Sequence, residues 1–115
     1  MYLPKVIKYN SKNSEAAERY AYIAKFIGLE GNTVDELVDA LINELKSMNK
    51  ALEIPSCIKE YEGGIIDEAE FNSKLKDVAA LAISDACTGS NPRQPSQEEM
   101  EKLLTACFYD KEIDF

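Results

Sequence analysis

The feature that most constrains this chain is a wide apolar stripe at helical spacing between residues 33 and 51. Thr33 followed by Glu36 forms a capping box, a pattern that satisfies free backbone amides at a helix start. The apolar residues behind it recur at steps of three and four, as on one helix face. They are Val34, Leu37, Val38, Leu41, Ile42, Leu45 and Met48. The pattern predicts a central core helix over residues 33–51.

Further helices are predicted over residues 14–28, 67–85 and 96–109, each with an N-capping residue at or just before its start. The residues expected to face inward are Ala17, Tyr20, Ala24 and Ile27 in the first, Phe71, Leu75, Val78, Ala79 and Ala82 in the second, and Met100, Leu103, Leu104, Cys107 and Phe108 in the third. No useful length of strand-type alternation and no internal repeat is present. The predicted fold class is all-α, a helical bundle in a single domain over residues 1–115.

The two ends of the chain carry weaker patterns. Residues 3–9 place Leu3, Val6 and Ile7 on one side of a helix too short to be stable alone, so this stump is expected to be the weakest element. Residues 109–115 alternate apolar and charged side chains. They could fray or add to the sheet edge of a neighbour, and fraying is the preferred interpretation.

Two connections are expected to shape the bundle. Pro55 is predicted to stop the central helix, and Gly63 with Gly64 is the flexible point of the connection after it. The second connection, residues 85–96, has a sequence that constrains its backbone more strongly. Gly89 can take the positive φ that ends a helix, Asn91 is driven to extended geometry by Pro92, and the next helix starts after it. This loop is therefore expected to be stiff.

Several segments, in order, resemble the C-terminal helical region of iron-containing alcohol dehydrogenases, which has the dehydroquinate synthase-like fold. They are LPKVIKYN at residues 3–10, ERYAYIAKFIGL at 18–29 and DACTGSNPRQPS at 85–96. IPSCIKE at 54–60 and the helix from Glu70 to the cysteine of the loop are most like the tail of bifunctional aldehyde-alcohol dehydrogenases. The resemblance runs from Leu3 to about Leu104.

The resemblance implies an NAD(P)-dependent enzyme that interconverts alcohols and aldehydes by hydride transfer at an iron or zinc ion. This part would buttress the wall of the substrate cleft, and Cys87 would line that cleft. Direct catalysis by Cys87 is not expected, because the end of a helix disfavours a thiolate. Small-residue packing is the alternative role.

The other loop residues, Thr88, Gly89, Asn91, Pro92 and Arg93, are expected to form a scaffold. Thr88 and Asn91 can tie the loop to backbone groups, and the guanidinium of Arg93 can bind helix carbonyls or a carboxylate. A phosphate cradle formed by the loop amides and Arg93 is the weaker alternative, because the resembled family binds its dinucleotide in another domain.

The chain contains no histidine. In the resembled family one Asp and three His bind the metal and lie upstream, as does the dinucleotide-binding half. The five glycines form neither a GxGxxG nor a P-loop spacing. No catalytic, cofactor-binding or metal-binding residue is therefore expected in this chain, and the chain alone is expected to be inactive.

The charged residues suggest no further site. The acidic clusters at residues 67–70 and 98–101 occupy first turns of predicted helices, where negative charge is favourable, so they are interpreted as caps rather than ligands. Lys5, Lys8 and Lys12 are interpreted as a weak surface strip. The net charge of −8 disfavours nucleic acids and anionic membranes as partners. The three cysteines show no CxxC spacing and favour a reducing compartment, so the cytoplasm is the expected location.

The expected partners are the upstream dinucleotide-binding and metal-binding parts of the parent enzyme. These would cover an apolar seam predicted from Leu3, Val6, Ile7, Ile65 and Ile66, through which the isolated chain could also form a homo-oligomer. The alternative function is a free-standing acidic helical module for binding or assembly.

Overall fold

The computed structural model describes residues 1–61 and 67–115, and within these ranges it contains α-helices, short 3-10 turns and no strand. The all-α prediction is confirmed. The α-helices are α1 Leu3–Asn10, α2 Ser14–Phe26, α3 Val34–Ala51, α4 Glu68–Ser84 and α5 Gln97–Tyr109. Two 3-10 turns that the sequence did not predict cover Ile58–Glu60 and Thr88–Ser90. The predicted glycine pair Gly63-Gly64 and the seam residues Ile65 and Ile66 lie outside the described residues.

The helix starts are made by the predicted capping residues. Asn13, Thr33, Asp67 and Ser96 each accept a hydrogen bond from the backbone amide three residues later. The Ser96 capping box is complete, because the Glu99 carboxylate accepts a hydrogen bond from the backbone amide of Ser96. At Thr33 the box is shifted by one residue, because the Glu36 carboxylate accepts from the amide of Asn32.

The ends of α2 and α3 share a Schellman geometry. Gly28, at φ +85°, closes α2, with the amide of Leu29 donating to the carbonyl of Ala24. In α3 the same position is taken by Glu53, at φ 57°, and the amide of Ile54 donates to Asn49. α3 ends at Ala51, where the sequence predicts its end, and the left-handed Glu53 closes the helix before Pro55 is reached.

The largest buried cluster joins α1, α2 and α3. Small alanines of α2 let it approach α3 closely, and α1 contributes one aliphatic side chain. The cluster consists of Ile7, Ala17, Ala21, Ala24, Leu37, Val38, Leu41 and Ile42. Several predicted inward residues lie outside it: Ile27, Val34, Met48 and Val78 are all more than a third exposed. The predicted apolar stripes were therefore too wide.

A second cluster joins α1 to α5 and the C-terminal tail. Tyr9, Ala106 and Ile113 are buried in it, and Phe115 packs against it. The prediction that residues 109–115 fray is wrong, because Ile113 in this tail is only 4% exposed. The rings of Phe71 and Phe108, with centroids 4.0 Å apart, attach α4 to α5.

The N-terminal stump, which the sequence predicts to be the weakest element, is packed on several sides. α1 contacts α2, α3 and α5, and five of its residues are buried: Pro4, Lys5, Ile7, Tyr9 and Asn10. The radius of gyration is 15.0 Å, against about 13 Å for a compact domain of this length. The bundle is therefore open, and grooves remain between its helices.

Candidate functional site

The loop after α4 is tied to the end of that helix by short hydrogen bonds. Its first residue, Asp85, accepts a bond from the amide of Cys87 at 2.8 Å. The hydroxyl of Thr88 donates to the carbonyl of Ala82 at 2.6 Å. α4 ends at Ser84, one residue before the predicted end, so Cys87 lies three residues beyond the helix. The cysteine is held in a defined place by local bonds.

The loop continues through a 3-10 turn rather than a left-handed glycine. Among the described glycines only Gly28 has a positive φ, so the prediction of a positive φ at Gly89 is wrong. Asn91 has the predicted extended backbone, with φ −67° and ψ 136°. The 3-10 turn spans Thr88–Ser90, and the Ser90 amide bonds to the carbonyl of Cys87.

The side chain of Asn91 joins the loop to α1. Its amide nitrogen donates to Asn10 Oδ1 at 2.7 Å, and Asn10 Nδ2 donates back to Asn91 Oδ1 at 3.0 Å. The Asn10 amide also donates to the hydroxyl of Tyr20 at 3.2 Å. Asn10 is only 2% exposed, so this reciprocal amide pair is a buried link between elements 81 residues apart.

Arg93 makes a second link, to α1, α5 and the tail. One guanidinium nitrogen donates to the carbonyls of Tyr9, at 3.1 Å, and Phe115, at 2.8 Å, and the other donates to Glu99 at 2.6 Å. The guanidinium carbon lies 3.9 Å from the centre of the Tyr9 ring. These are the contacts with a helix carbonyl and a carboxylate for which a guanidinium is suited.

The ionisable groups around Arg93 are shifted by their surroundings. The pKa of the Tyr9 phenol is raised, mainly by burial. The guanidinium of Arg93 opposes this shift, and the carboxylate of Glu99 adds to it. The Tyr9 hydroxyl is buried and has no well-formed hydrogen bond within the described part of the chain. The backbone hydrogen bond from Ser96 is the main cause that lowers the pKa of Glu99.

A cavity of about 320 Å³ lies between α1, the loop and α5. It is named here the α1–α5 pocket. Its lining consists of Tyr2, Val6, Tyr9, Cys87, Thr88, Asn91, Pro95, Met100, Leu103, Leu104 and Cys107. Three of the predicted loop residues, Cys87, Thr88 and Asn91, thus lie on one cavity, whereas Gly89, Pro92 and Arg93 do not line it.

The three cysteines differ in accessibility. Cys87 is exposed, whereas Cys57 and Cys107 are buried. Burial raises the pKa of the Cys107 thiol to about 11, so this thiol stays protonated near neutral pH. Cys87 is the thiol that solvent and small molecules can reach.

Two lysines of the predicted surface strip, Lys5 and Lys8, form ion pairs. Lys5, predicted to be on the surface, is 5% exposed. Its ammonium donates to the carboxylate of Asp110 at 2.6 Å and to the carbonyl of Lys111 at 2.8 Å. Lys8 pairs with Asp39 at 2.7 Å on the surface.

Within residues 1–61 and 67–115 no group of three or more His, Cys, Asp or Glu side chains could hold a metal ion. The same part of the chain contains no helix that is long and apolar enough to span a membrane.

Sequence reasoning missed the residues of α1 that bind the loop and the tail. Asn10 follows the apolar residues of α1 in a polar-looking segment, and Lys5 was assigned to a surface strip. The sequence places both residues in α1 and carries no further signal of these contacts. No local pattern names a partner more than 80 residues away.

Comparison with known proteins places these features in a family context. The model of the "Fe-containing alcohol dehydrogenase family, C-terminal" matches residues 1–108. The NADPH-dependent butanol dehydrogenase of Clostridium saccharobutylicum is 53% identical over 115 residues, which are the whole of this chain and 28% of that protein. The aldehyde-alcohol dehydrogenase of Clostridium acetobutylicum is 46% identical over 90 residues, which are 78% of this chain and 10% of that protein.

A relative with lower identity also matches nearly the whole of this chain with only part of its own length. The alcohol dehydrogenase of Thermococcus barophilus is 33% identical over 110 residues, covering 96% of this chain and 26% of that protein. The chain therefore spans less than a third of the length of these curated relatives.

Proposed function

This chain belongs to the Fe-containing alcohol dehydrogenase family, and on that premise we propose that it works as the C-terminal helical part of an iron-containing, NAD(P)-dependent alcohol dehydrogenase. The complete enzyme would interconvert alcohols and aldehydes by hydride transfer. The observation that carries the proposal is the family match over residues 1–108, which includes the whole cysteine loop. The proposed location is the cytoplasm, in keeping with three free cysteines.

Cys87 is proposed to line the substrate cleft of the complete enzyme. Its exposure and its position on the α1–α5 pocket support this role. A lining residue shapes a site through its volume, so its substitution should act on substrate binding more than on the chemical step. No neighbouring histidine exists in the chain that could activate the thiol as a nucleophile.

The rest of the loop is proposed to hold Cys87 in place. Thr88 ties the loop to α4, Asn91 ties it to α1, and Arg93 ties it to α1, α5 and the tail. A guanidinium with three oxygen partners and a ring beneath it has little freedom to bind a phosphate as well. The scaffold role is therefore favoured over the phosphate cradle.

The residues of this chain do not fit the binding of a catalytic iron ion. The sequence lacks histidine, and the described residues form no cluster of potential metal ligands. Iron and NAD(P) are therefore assigned to parts of the parent enzyme outside this chain. Its relatives include one protein whose name specifies NADPH.

The partner of this chain is proposed to be the rest of the same enzyme. Tyr2, Leu3 and Val6 of the N-terminal region are 51%, 55% and 38% exposed and form an apolar rim. Ile7, which was predicted to belong to this seam, is buried inside the chain and does not contribute. Apolar surface of this kind is commonly covered by a partner. Self-association through the same rim is a further proposal for the isolated chain.

The test uses the 115-residue chain and a longer polypeptide that joins this chain to the proposed dinucleotide-binding and metal-binding parts. We expect the longer polypeptide, supplied with iron, to reduce NADP⁺ or NAD⁺ with butan-1-ol, and the 115-residue chain to show no such activity. Stoichiometric iron or alcohol-dependent reduction in the short chain would contradict the assignment of iron and NAD(P) to other parts. An inactive longer polypeptide that binds iron and nucleotide would contradict the function.

The role of Cys87 is tested in the active longer polypeptide. Cys87→Trp should raise the KM for the alcohol, because the larger side chain occupies space in the cleft. Cys87→Ser keeps a side chain of similar size and should lower kcat by less than about tenfold. Cys57→Ser, at a buried site outside the pocket, controls for general effects of cysteine loss. A nucleophile is indispensable for the chemical step, so a fall in kcat far beyond about tenfold in Cys87→Ser would assign Cys87 to catalysis instead.

The alternative is a free-standing acidic helical module for binding or assembly. It is favoured by one observation, that the chain forms its own buried clusters and closes them with its tail. A 115-residue chain that is strictly monomeric at high concentration, does not bind a hydrophobic dye, and has no histidine-containing segment encoded before it would support the module.

A further inference from the structure

The α1–α5 pocket differs in the chemistry of its lining from four further cavities on the described surface. Four other cavities each contain charged side chains, such as Lys46 or Glu101. The α1–α5 pocket contains none. A charged ligand such as a phosphate or a carboxylate would lose its hydration there without gaining a countercharge. The pocket therefore suits a neutral, largely apolar molecule.

The apolar and polar parts of the lining come from different elements, which orients a ligand in the pocket. Leu103 and Leu104 of α5 and Val6 of α1 supply aliphatic surface, and Met100 supplies an adaptable thioether side chain. Polar atoms come from the loop, where Cys87 is exposed and the hydroxyl of Thr88 can still accept a hydrogen bond while it donates to Ala82. An apolar wall beside a polar loop matches a ligand with a hydrocarbon chain and one hydroxyl or carbonyl group.

The size of the pocket restricts the ligand further. Its volume of about 320 Å³ lies at the lower end of the roughly 300 to 1,000 Å³ found for small-molecule sites. A short alkyl chain fits such a volume, whereas a helix or strand of a partner protein needs a longer groove. The half-buried side chains of Met100, Leu103 and Leu104 bound the space on the α5 side.

We infer that the α1–α5 pocket binds the hydrocarbon chain of the alcohol or aldehyde substrate, and that Met100, Leu103 and Leu104 set the chain length that is accepted. The inference rests on the proposed function, because Cys87 is the residue shared by the cleft wall and the pocket. It adds a specificity role for α5, a helix whose sequence pattern indicates only packing.

Binding is tested first on the 115-residue chain, without metal or nucleotide. Butan-1-ol, hexan-1-ol and octan-1-ol are titrated while the methyl resonances of Val6, Leu103 and Leu104 are followed by NMR. We expect saturable shifts at these methyls and a Kd that falls about fourfold per added methylene until the pocket is full. Leu81, which is 69% exposed on α4, provides a methyl outside the pocket that should not shift.

Two substitutions change the size of the pocket in opposite directions. Leu104→Phe should weaken octan-1-ol binding at least tenfold, and Leu104→Ala should move the tightest binding to a longer alcohol. Leu81→Phe is the matched control on an exposed helix face and should leave all three Kd values unchanged. Circular dichroism checks that each variant keeps its helix content. If Leu104→Phe does not fold, Leu104→Ala still tests whether Leu104 sets the accepted chain length.

Shifts that do not saturate, that are equal at Leu81, or that show no dependence on chain length would overturn the inference. Unaltered chain-length preference in Leu104→Ala would do so as well, because Leu104 would then not bound the space that the alcohol occupies. The two proposals fail separately. Alcohol binding by the chain with an inactive longer polypeptide refutes the dehydrogenase function, whereas an active enzyme whose short chain binds no alcohol refutes the pocket.

Discussion

The ammonium group of Lys5 lies 2.6 Å from the carboxylate of Asp110, although the two residues are 105 positions apart in the sequence. The Lys5 side chain is 6% exposed and that of Asp110 is 44% exposed, so the pair is buried on one side only. The same ammonium donates to the carbonyl of Lys111 at 2.8 Å. Lys5 therefore fixes the start of the tail against α1.

Removing the acid of this pair should cost more than removing the base. Asp110→Asn leaves a buried ammonium without its countercharge, and we expect it to lower the free energy of unfolding by about 1 to 3 kcal/mol. Lys5→Met replaces the buried charge with an apolar chain of similar length and should change stability by less than about 1 kcal/mol. Urea unfolding measures both, with Lys8→Met at the exposed Asp39 pair as the control. A larger cost for Lys5→Met than for Asp110→Asn would refute this account.

Stability should fall in acid. Burial raises the pKa of Asp110, but the hydrogen bond and charge of Lys5 more than offset it, so the folded-state pKa is lowered. The pKa of Glu99 is lowered mainly by the backbone amide of Ser96. A lowered folded-state pKa contributes stability that is present above the unfolded-state value of about 4 and is lost as pH falls through the folded-state value.

The measurement for this effect is the urea midpoint between pH 6 and pH 2.5. We expect a decline that begins near pH 4 to 4.5 and a shallower slope in the double variant Asp110→Asn/Glu99→Gln. Asp35→Asn on the exposed surface of α3 serves as the comparison variant. Equal slopes for wild type and the double variant would show that other carboxylates control the acid transition.

Arg93 should not be replaceable by lysine. An ammonium cannot bind the carbonyls of Tyr9 and Phe115, pair with Glu99 and stack on the Tyr9 ring at the same time. We expect Arg93→Lys to reduce stability by about 1 to 3 kcal/mol. The exposed Arg19→Lys should change it by less than about 0.5 kcal/mol. Thermal unfolding compares the two, and equal melting temperatures would contradict the role of the guanidinium.

The tail should behave as part of the core. Ile113 is 4% exposed, and Ile113→Ala is expected to cost about 2 to 4 kcal/mol because it removes buried aliphatic volume next to Tyr9 and Ala106. Ile27→Ala, at a site that is 52% exposed, should cost less than about 1 kcal/mol. Chemical denaturation measures both. A cost for Ile113→Ala no greater than that for Ile27→Ala would mean that the tail frays in solution.

The two glycines that mark turns should respond differently to alanine. Gly28 has φ +85°, so Gly28→Ala introduces backbone strain and should cost about 1 kcal/mol or more. Gly89 lacks a positive φ, and a Cβ there would meet no atom within 4 Å, so Gly89→Ala should be neutral or slightly stabilising. Calorimetric melting temperatures distinguish the outcomes, and a more damaging Gly89→Ala would indicate a different turn in solution.

The sequence alone determined the helices of this protein and where they begin. Caps at Asn13, Thr33, Asp67 and Ser96 act within four residues, and apolar spacing reports the face that each helix buries. Such interactions are local, so they can be read without knowledge of the partners. The same locality explains the stripes that were too wide, since spacing cannot say where the neighbouring helix ends.

The tertiary structure decided the position of α1, the docking of the tail and the surroundings of Cys87. The contacts of Lys5 with Asp110, Asn10 with Asn91 and Arg93 with Tyr9 each connect residues more than 80 positions apart. Their side chains are polar. From the sequence Lys5 is assigned to the surface, and Asn91 and Arg93 are expected to tie the loop without a named partner in α1. Burial of these groups is tolerated only because their hydrogen-bonding partners converge on them, and that convergence depends on the packing of all the helices.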